Sequence, residues 1–360
     1  MIAIHQFVPT FTRQDAIGHH VLELRDVLHG LDVASEVFAA EIGPGLQRVA
    51  HPYQEYVERD DRTALLYHAS TASPLADFLT TRPERKIVDY HNVTPARFFA
   101  GWDPAQAARL RTARREIAAL VRTADLVFAH SRFSARDAEA WGHRDPIVAP
   151  VLGASFLEVD GAEHEVPTTA RSGGHARRPV WLFVGRLAPN KAQDQLIKAL
   201  AIFRRTYGDA AELHLVGSAS PRAYGDALAR LAAGAGLADA VHFHEGVSAK
   251  DLAVLYQTAD VFVSASAHEG YCVPVVEAMR FGLPVIARAI GAIPETSGGA
   301  AVLVPGGSAS TIAVAVRRVL ADPALADRLA VAGRARAAAL MARGCSDYRT
   351  TFRRLVETMT

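Results

Sequence analysis

The sequence predicts an α/β protein built from two doubly wound domains. The chain has 360 residues, which is more than one hydrophobic core of typical size supports. Short apolar strand candidates alternate with longer amphipathic helix patterns in both halves, as expected for parallel sheets with crossover helices. This alternation is interrupted by the polar, turn-rich segment Glu158–Pro179, which we interpret as the interdomain linker. We therefore place the first domain at residues 1–165 and the second at residues 166–345.

Each half supplies six strand candidates. Those of the first domain are Ile2–Val8, Ser35–Ala39, Ala64–Tyr67, Lys86–Tyr90, Leu126–Ala129 and Ile147–Ala149. Those of the second are Val180–Val184, Leu213–Val216, Val241–Phe243, Val261–Ser264, Val285–Ala287 and Ala301–Val304. Three helices are predicted after the last strand, at Ser310–Ala321, Pro323–Leu340 and about Ser346–Thr358. Ligands of such sheets bind beyond the carboxyl ends of the strands, so we expect the two sheets to face each other across a ligand-binding cleft.

Composition excludes several classes of protein. Basic and acidic residues nearly cancel, at 39 against 38, which argues against a nucleic-acid surface. The two cysteines have no metal-ligand spacing and are too few for a disulfide scaffold, so we expect a reducing, cytoplasmic compartment. No leader pattern or long apolar run is present, which leaves only a peripheral membrane contact open. The absence of a G-x-G-x-x-G pattern after the first strand argues against a dinucleotide dehydrogenase.

The segment His268–Met279 carries the strongest functional signal. The apolar strand before it, together with Pro274 near a helix start, predicts a loop containing Glu269 and a helix containing Glu277. Backbone N–H groups at the positive end of that helix favour an anion or sugar hydroxyls. The residues that supply them are Gly270, Tyr271, Cys272 and Val273. The alternative is that both glutamates are ordinary surface charges.

A second segment, Gly185–Lys191, leads from a strand into a helix. Asn190 and Gln193 have the spacing of a capping box, which predicts that Asn190 caps the helix and that Lys191 lies in its first turn. A lysine there is repelled by the helix dipole, and a bound anion would remove that penalty. Arg186 lies at the end of the preceding strand, so the two cations could hold a diphosphate together. The alternative is that both are solvated loop cations.

These two motifs resemble those of the retaining GT-B glycosyltransferases of group 1, the large E-x7-E family. The residues that carry the resemblance are Glu269 and Glu277, with seven residues between them, and the G-R-L-x3-K pattern from Gly185 to Lys191. It implies that Glu269 approaches the donor sugar, that Glu277 binds the ribose, and that Arg186 and Lys191 bind the departing diphosphate. The chain departs from the family pattern where Tyr271-Cys272 replaces Phe-Gly, and where His19 replaces the second glycine of a Gly-Gly pair.

The resemblance also suggests weaker site candidates. His91 at a strand end is expected to contact the donor sugar, the alternative being a histidine hydrogen-bonded to backbone. Gly18, ahead of the first helix, is expected to bring backbone N–H groups to the donor phosphate. Gly217, Gly246 and Val247 lie in loops where the nucleotide is expected to bind, although both glycines could be ordinary turn residues.

The function implied by the resemblance is retaining transfer of a sugar from a nucleotide diphosphate donor to an acceptor hydroxyl. We expect no cofactor and no metal, a UDP-sugar before a GDP-sugar as donor, and a small-molecule or glycan acceptor. The resemblance further implies that a C-terminal helix at about residues 346–360 packs back on the first domain. Two alternatives stay open: a nucleotide-sugar 2-epimerase of the same fold, and a non-catalytic sugar-nucleotide binding protein.

Overall fold

A computed structural model describes residues 2–12, 16–57, 61–152 and 178–359. The chain divides into two compact units. Unit 1 holds most of the first 152 residues and the segment that begins at Leu340, whereas unit 2 holds the described residues from 178 to Ala339 together with Gly101–Asp103. The predicted boundary between residues 165 and 166 lies outside the described residues, as does nearly all of the predicted linker.

Unit 1 contains a parallel seven-stranded sheet in the order β3-β2-β1-β4-β5-β6-β7. The strands are β1 (Ala3–Phe11), β2 (Val37–Ile42), β3 (Ala50–Pro52), β4 (Thr63–Ala69), β5 (Arg85–Tyr90), β6 (Leu126–Ala129) and β7 (Ile147–Val148). The helices are α1 (Ala16–His29), α2 (Pro74–Thr80), α3 (Pro104–Thr123) and α4 (Arg132–Ala140). All six predicted strands are confirmed. Strand β3 escaped prediction because three residues, two of them exposed, show no periodicity.

Unit 2 contains a parallel six-stranded sheet in the order β10-β9-β8-β11-β12-β13. The strands are β8 (Val180–Val184), β9 (Glu212–Val216), β10 (Val241–His244), β11 (Val261–Ser264), β12 (Val285–Arg288) and β13 (Val302–Val304). The helices are α5 (Gln193–Tyr207), α6 (Arg222–Gly234), α7 (Ala249–Thr258), α8 (Val273–Arg280), α9 (Ile293–Ser297) and α10 (Ala309–Ala321). Apolar side chains on one face of the sheet, including Trp181 and Leu213, form the core with α5 and α10.

The last helix, α11, runs without interruption from Pro323 to Glu357. The prediction of two separate helices was wrong, because Gly344 lies inside this one helix and does not end it. A Cβ atom at Gly344 would lie 3.0 Å from the carbonyl oxygen of Pro150, so the missing side chain lets the helix approach that backbone closely. Beyond it, Tyr348 and Phe352 are fully buried in the core of unit 1. No helix among the described residues is long and apolar enough to cross a membrane.

Candidate functional site

Two loops at the carboxyl edge of the unit 2 sheet bring Lys191 and Glu269 together. The loops follow β8 and β11, which pair in parallel, and they are joined where the Ala267 N–H donates to the Asn190 carbonyl at 2.7 Å. The Nζ of Lys191 lies 2.7 Å from both carboxylate oxygens of Glu269. The glutamate side chain is 7% exposed and the lysine 19%, so the pair is largely shielded while the ammonium still reaches solvent.

The backbone around Lys191 differs from the predicted capping box. Residues Pro189–Lys191 form a short 3-10 turn in which Asn190 is buried, and Ala192 precedes α5 in the left-handed conformation at φ 51°. Asn190 is therefore not the cap, and Lys191 precedes α5 instead of lying in its first turn. The Gln193 side chain donates to the Arg186 carbonyl at 2.9 Å, which fixes the loop from inside. The Arg186 residue itself is exposed.

The position of Glu269 depends on a glycine that the sequence interpretation missed. Gly291, in the loop after β12, has φ 55°, and a Cβ atom there would lie 2.3 Å from the Glu269 carbonyl oxygen. The same oxygen accepts a hydrogen bond from the Ala292 N–H at 3.1 Å. Because only glycine fits so close to another backbone, Gly291 defines the path of the Glu269 loop. The available signal was a glycine three residues after the end of the apolar strand β12.

Glu277 lies within α8 as predicted, with Glu269 in the loop before the helix. It is buried at 4% exposure, and the Tyr256 hydroxyl donates to its Oε2 at 2.7 Å. Burial raises the pKa of Glu277 to about 7, against the lowering effects of the Tyr256 hydrogen bond and of Arg280. Its carboxyl therefore exchanges a proton near neutral pH.

Cys272 marks the turn between the two glutamates. It is the residue before α8 and adopts a left-handed conformation at φ 74°, which favours glycine. A glycine would adopt this conformation without strain, so the cysteine that stands here in place of the family's glycine holds a strained backbone. Burial and the charge of Glu269 raise the pKa of the Cys272 thiol, so the sulfur is a neutral thiol at physiological pH. On either side, Thr296 donates to the Tyr271 carbonyl at 2.7 Å, and Val273 begins α8.

The remaining predicted glycines have different structural causes. Gly217 follows β9 at φ 137°, where a Cβ atom would lie 2.3 Å from the Gly185 carbonyl oxygen, so two loops of the site pack through bare backbone. Gly246 has φ 64° with open space around it, as in an ordinary turn, and Val247 beside it is half-buried. Gly18 lies buried inside α1, which begins at Ala16, so the expectation that it precedes the first helix was wrong.

His91 lies in unit 1, in a buried group of histidines around Asp89 that the sequence interpretation did not detect. Its side chain is 6% exposed, and its ring nitrogens lie 3.1 Å from His68 Nδ1 and 3.1 Å from His130 Nε2. Four imidazoles surround the carboxylate of Asp89 within 3.6 Å, those of His20, His68, His91 and His130. We call these five residues the histidine network.

The partners at the ends of the chain of rings fix where its protons lie. His68 Nε2 faces Gln6 Oε1 at 2.9 Å and His130 Nδ1 faces the Ala149 carbonyl at 3.2 Å, so both nitrogens donate. Their other nitrogens are then acceptors, and a neutral His91 can donate to only one of them. The nitrogens of His68, His91 and His130 thus offer positions for four donated protons, whereas three neutral rings carry three. Both ring nitrogens of His91 face these neighbours.

Burial dominates the ionisation of the network. It lowers the pKa of His68, His91 and His130, the last to about 4, against the raising effect of Asp89. The pKa of Asp89 lies well below its usual range because the surrounding imidazoles outweigh the cost of burying its charge. His20, His68, Asp89 and His91 present donor atoms within 4.8 Å of one another, the spacing of metal ligands. His20, however, accepts the Leu152 N–H at Nδ1, so its Nε2 carries a proton and donates to Asp89 at 2.6 Å.

Comparison with known proteins identifies the family. Residues 168–336 match the model of the glycosyl transferases group 1 family. This segment of the chain therefore belongs to that family. The chain is 34% identical over 247 residues to a GDP-mannose-dependent alpha-(1-6)-phosphatidylinositol monomannoside mannosyltransferase of Mycolicibacterium smegmatis, a match covering 65% of the chain and 62% of that relative. It is 38% identical over 153 residues to a D-inositol 3-phosphate glycosyltransferase of Geodermatophilus obscurus, covering 39% and 33% of the two proteins. The matches thus span less than two thirds of these relatives' lengths.

Solved structures confirm the predicted fold class. A sucrose-phosphate synthase of Thermosynechococcus elongatus superposes with a TM-score of 0.73 at 21% identity, covering 100% of this chain and 99% of that one. Anabaena HepE in complex with UDP-glucose superposes with a TM-score of 0.74 at 18% identity, covering 99% and 100%. The chain accordingly has the GT-B fold with two Rossmann-like units.

Proposed function

We propose that this protein transfers a sugar from a nucleotide diphosphate donor to an acceptor hydroxyl with retention of the anomeric configuration. The observation that carries the proposal is the Lys191–Glu269 pair, at 2.7 Å to both oxygens, on loops at the carboxyl edge of a doubly wound sheet. Ligands of such sheets bind at this edge. The pair also lies within the segment that matches the glycosyl transferases group 1 family.

The first role we propose is recognition of the diphosphate. Among the described residues the ammonium of Lys191 forms an ion pair only with Glu269, and the lysine side chain is 19% exposed. A diphosphate arriving from the solvent side would share this ammonium and recruit the exposed guanidinium of Arg186. Both cations would then stabilise the negative charge that develops as the sugar–phosphate bond breaks, the step at which electrostatic stabilisation lowers the barrier most.

The second role is orientation of the sugar and the ribose. Glu269 is held by Gly291 and by Lys191, so its carboxylate can accept hydrogen bonds from sugar hydroxyls in a fixed position. Glu277 keeps one oxygen on the Tyr256 hydroxyl and can offer the other to the ribose hydroxyls. His91 remains a predicted sugar contact, and a ring nitrogen would have to leave His68 or His130 to make it.

The third role belongs to the donor itself. The Cys272 thiol near Glu269 stays protonated, so it does not supply a nucleophile. We propose that the leaving phosphate oxygen accepts the proton of the acceptor hydroxyl while that hydroxyl oxygen bonds to the anomeric carbon on the same face. The sugar–phosphate bond breaks and the proton leaves on the nucleotide diphosphate. Lys191 and Arg186 supply the cationic charge, so we expect no divalent metal in this step.

The next question is whether the sugar donor carries UDP or GDP. The family frequency favours UDP, whereas the relative in Mycolicibacterium smegmatis is named GDP-mannose-dependent. We propose incubating the full chain with UDP-glucose or GDP-mannose, with and without acceptors such as inositol phosphate, and measuring nucleotide release with EDTA present. Acceptor-dependent release, with the product anomer matching the donor by NMR, supports the proposal.

The same assay separates the alternatives. Conversion of the donor without an acceptor indicates an isomerase, and donor binding without turnover indicates a binding protein. Inversion at the anomeric carbon contradicts the proposed mechanism, and activity that is lost in EDTA and restored by magnesium contradicts the proposed independence from metal.

A further inference from the structure

Three histidines and a glutamate gather on strands β9 and β10 of unit 2, and the proposed transfer uses none of them. Glu212 and His214 are two residues apart on β9, so their side chains share one face of the sheet. His242 on the edge strand β10 pairs directly with His214. Leu213 points the other way, into the core. The polar side chains therefore lie on the face opposite that core.

The donor atoms of Glu212, His214 and His242 converge on one point. They all lie within 4.8 Å of one another. Glu212 Oε2 is 3.3 Å from His242 Nε2 and 4.0 Å from His214 Nε2. Tetrahedral zinc with bonds of about 2.0–2.2 Å holds neighbouring ligand atoms roughly 3.3–3.6 Å apart. The Glu212–His242 distance already fits, and the Glu212–His214 distance needs only a small movement of the His214 ring.

Nε2 of His214 and Nε2 of His242 both face Glu212 Oε2, are shielded from solvent, and make no well-formed hydrogen bond among the described residues. Shielded polar atoms are normally paired. The other nitrogen of His214, Nδ1, lies 3.1 Å from His244 Nε2. When Nδ1 donates to His244, the lone pair of His214 is on Nε2, and a second residue fixes the ring as in known metal sites.

Arg178 occupies Oε1 of Glu212 at 3.0 Å and leaves Oε2 facing the histidines.

We propose that Glu212, His214 and His242 form a zinc site that joins the edge strand β10 to β9, with His244 orienting His214. Neutral imidazole nitrogens and one carboxylate oxygen are ligands that suit Zn²⁺, and three protein ligands leave the fourth position to water. Because the ligands come from two strands, the ion would stabilise the edge of the unit 2 sheet against local opening.

The test measures zinc binding to the full chain by calorimetry, after dialysis against EDTA and then against metal-free buffer at pH 7.5. We expect one equivalent of Zn²⁺ whose affinity falls at least about 100-fold in His214→Ala and in His242→Ala, more than the roughly 10- to 100-fold loss typical of removing an outer-shell partner. His51→Ala is the matched control, because His51 also lies beside a glutamate, Glu55 at 3.9 Å, but has no second histidine in that pair. It should bind zinc as the parent does.

Two further variants give effects of different size or sign. His244→Ala should weaken binding by about tenfold, because it removes only the group that orients His214. Arg178→Ala should strengthen binding by up to about fivefold, because the positive charge of Arg178 beside Glu212 repels the ion. Amide hydrogen exchange in β10 should slow on addition of Zn²⁺ in the parent and not in His242→Ala.

Two outcomes overturn the proposal. One is the absence of zinc binding in the parent at concentrations up to the millimolar range. The other is binding that His214→Ala and His242→Ala leave unchanged, which would place the ion elsewhere in the chain, for instance among the buried ligands around Asp89.

Discussion

The two units each bury a carboxylate, but they compensate its charge in different ways. In unit 2, Glu269 is paired with the single ammonium of Lys191. In unit 1, Asp89 is surrounded by four imidazoles and by the Tyr348 hydroxyl at 3.3 Å. Lysine is ordinarily charged at neutral pH, whereas burial lowers the pKa of His68, His91 and His130, so these rings gain a proton only when the medium becomes acidic. The first arrangement therefore suits a charge that must meet a ligand, and the second ties the stability of unit 1 to pH.

The largest expected effect is that of Asp89→Asn on stability. The replacement removes the carboxylate that accepts hydrogen bonds from His20 Nε2 at 2.6 Å and from the Tyr348 hydroxyl at 3.3 Å. Hydrogen bonds to a charged group are worth about 1.5–3 kcal/mol each, so losing both costs about 3–5 kcal/mol. We expect urea unfolding at pH 7 to show a loss of that size, with faster amide exchange in β4 and β5. Asp209→Asn is the control, because Asp209 forms an exposed ion pair with Arg317 and should cost less than about 1 kcal/mol. Equal losses in the two variants would contradict the comparison.

The next effect is that of Lys191→Ala on turnover. Removing a group that stabilises the transition state costs about 100- to 1000-fold in kcat. Lys198→Ala is the matched control, because Lys198 pairs with Asp194 at 2.8 Å on the exposed side of α5. It should change kcat less than twofold. We expect steady-state kinetics to separate the two lysines while both variants keep the parent's melting temperature within a few degrees, and similar kinetics would remove Lys191 from the reaction.

A third prediction concerns the stability of unit 1 at acidic pH. The folded-state pKa of His130 is about 4, below the ordinary histidine value of 6.5, so the unfolded chain binds the proton more readily. This contribution to stability is complete above pH 6.5 and is lost as the pH falls towards 4, by about 3 kcal/mol in all. The free energy of opening of unit 1 peptides, measured by hydrogen exchange, should decrease as the pH falls from 6.5 towards 4. His130→Asn should reduce the slope of this free energy against pH by about one proton. The exposed His51→Asn should retain the parent slope, and a flat profile in the parent would contradict the assignment.

The smallest expected effect is the change in the free energy of unfolding when each of the two cysteines is replaced by glycine. Cys272→Gly should raise the free energy of unfolding by about 1 kcal/mol, because it relieves a side chain held at φ 74°. Cys345→Gly should lower it by a similar amount, because Cys345 is exposed in the middle of α11 and glycine weakens helices. Chemical denaturation of both variants tests the difference in sign, and a loss at Cys272 would show that its buried thiol matters more than its backbone strain.

Local patterns predicted the parts of the fold and of the site that depend on nearby residues. The buried strands were visible as apolar runs, and the placement of Glu269 in a loop and Glu277 in a helix followed from proline and glycine signals. The prediction of a helix cap at Asn190 was wrong because Ala192 adopts a left-handed conformation that a sequence pattern does not predict. The prediction of a break in α11 was wrong because close packing at Gly344 favours a continuous helix.

Features assembled from distant segments could not be predicted in this way. The histidine network draws on α1, β4, β5 and the segments after β5 and β6, and no spacing in the sequence relates His20 to His130. Gly291 supports Glu269 from a different loop, 22 residues further along the chain. The ligand set on β9 and β10 required the register that places His242 beside His214. Only the folded sheets bring these groups together.

The course of α11 sets an order for folding during synthesis. Tyr348 and Phe352 complete the core around Phe128, at 4.5 and 5.5 Å between ring centroids, yet they are translated after all of unit 2. The segment made first therefore stays on the ribosome with an unfinished interior until Tyr348 and Phe352 have been synthesised. Unit 2, although made later, has every residue it needs before unit 1 does, which reverses the usual order in which the N-terminal domain matures first.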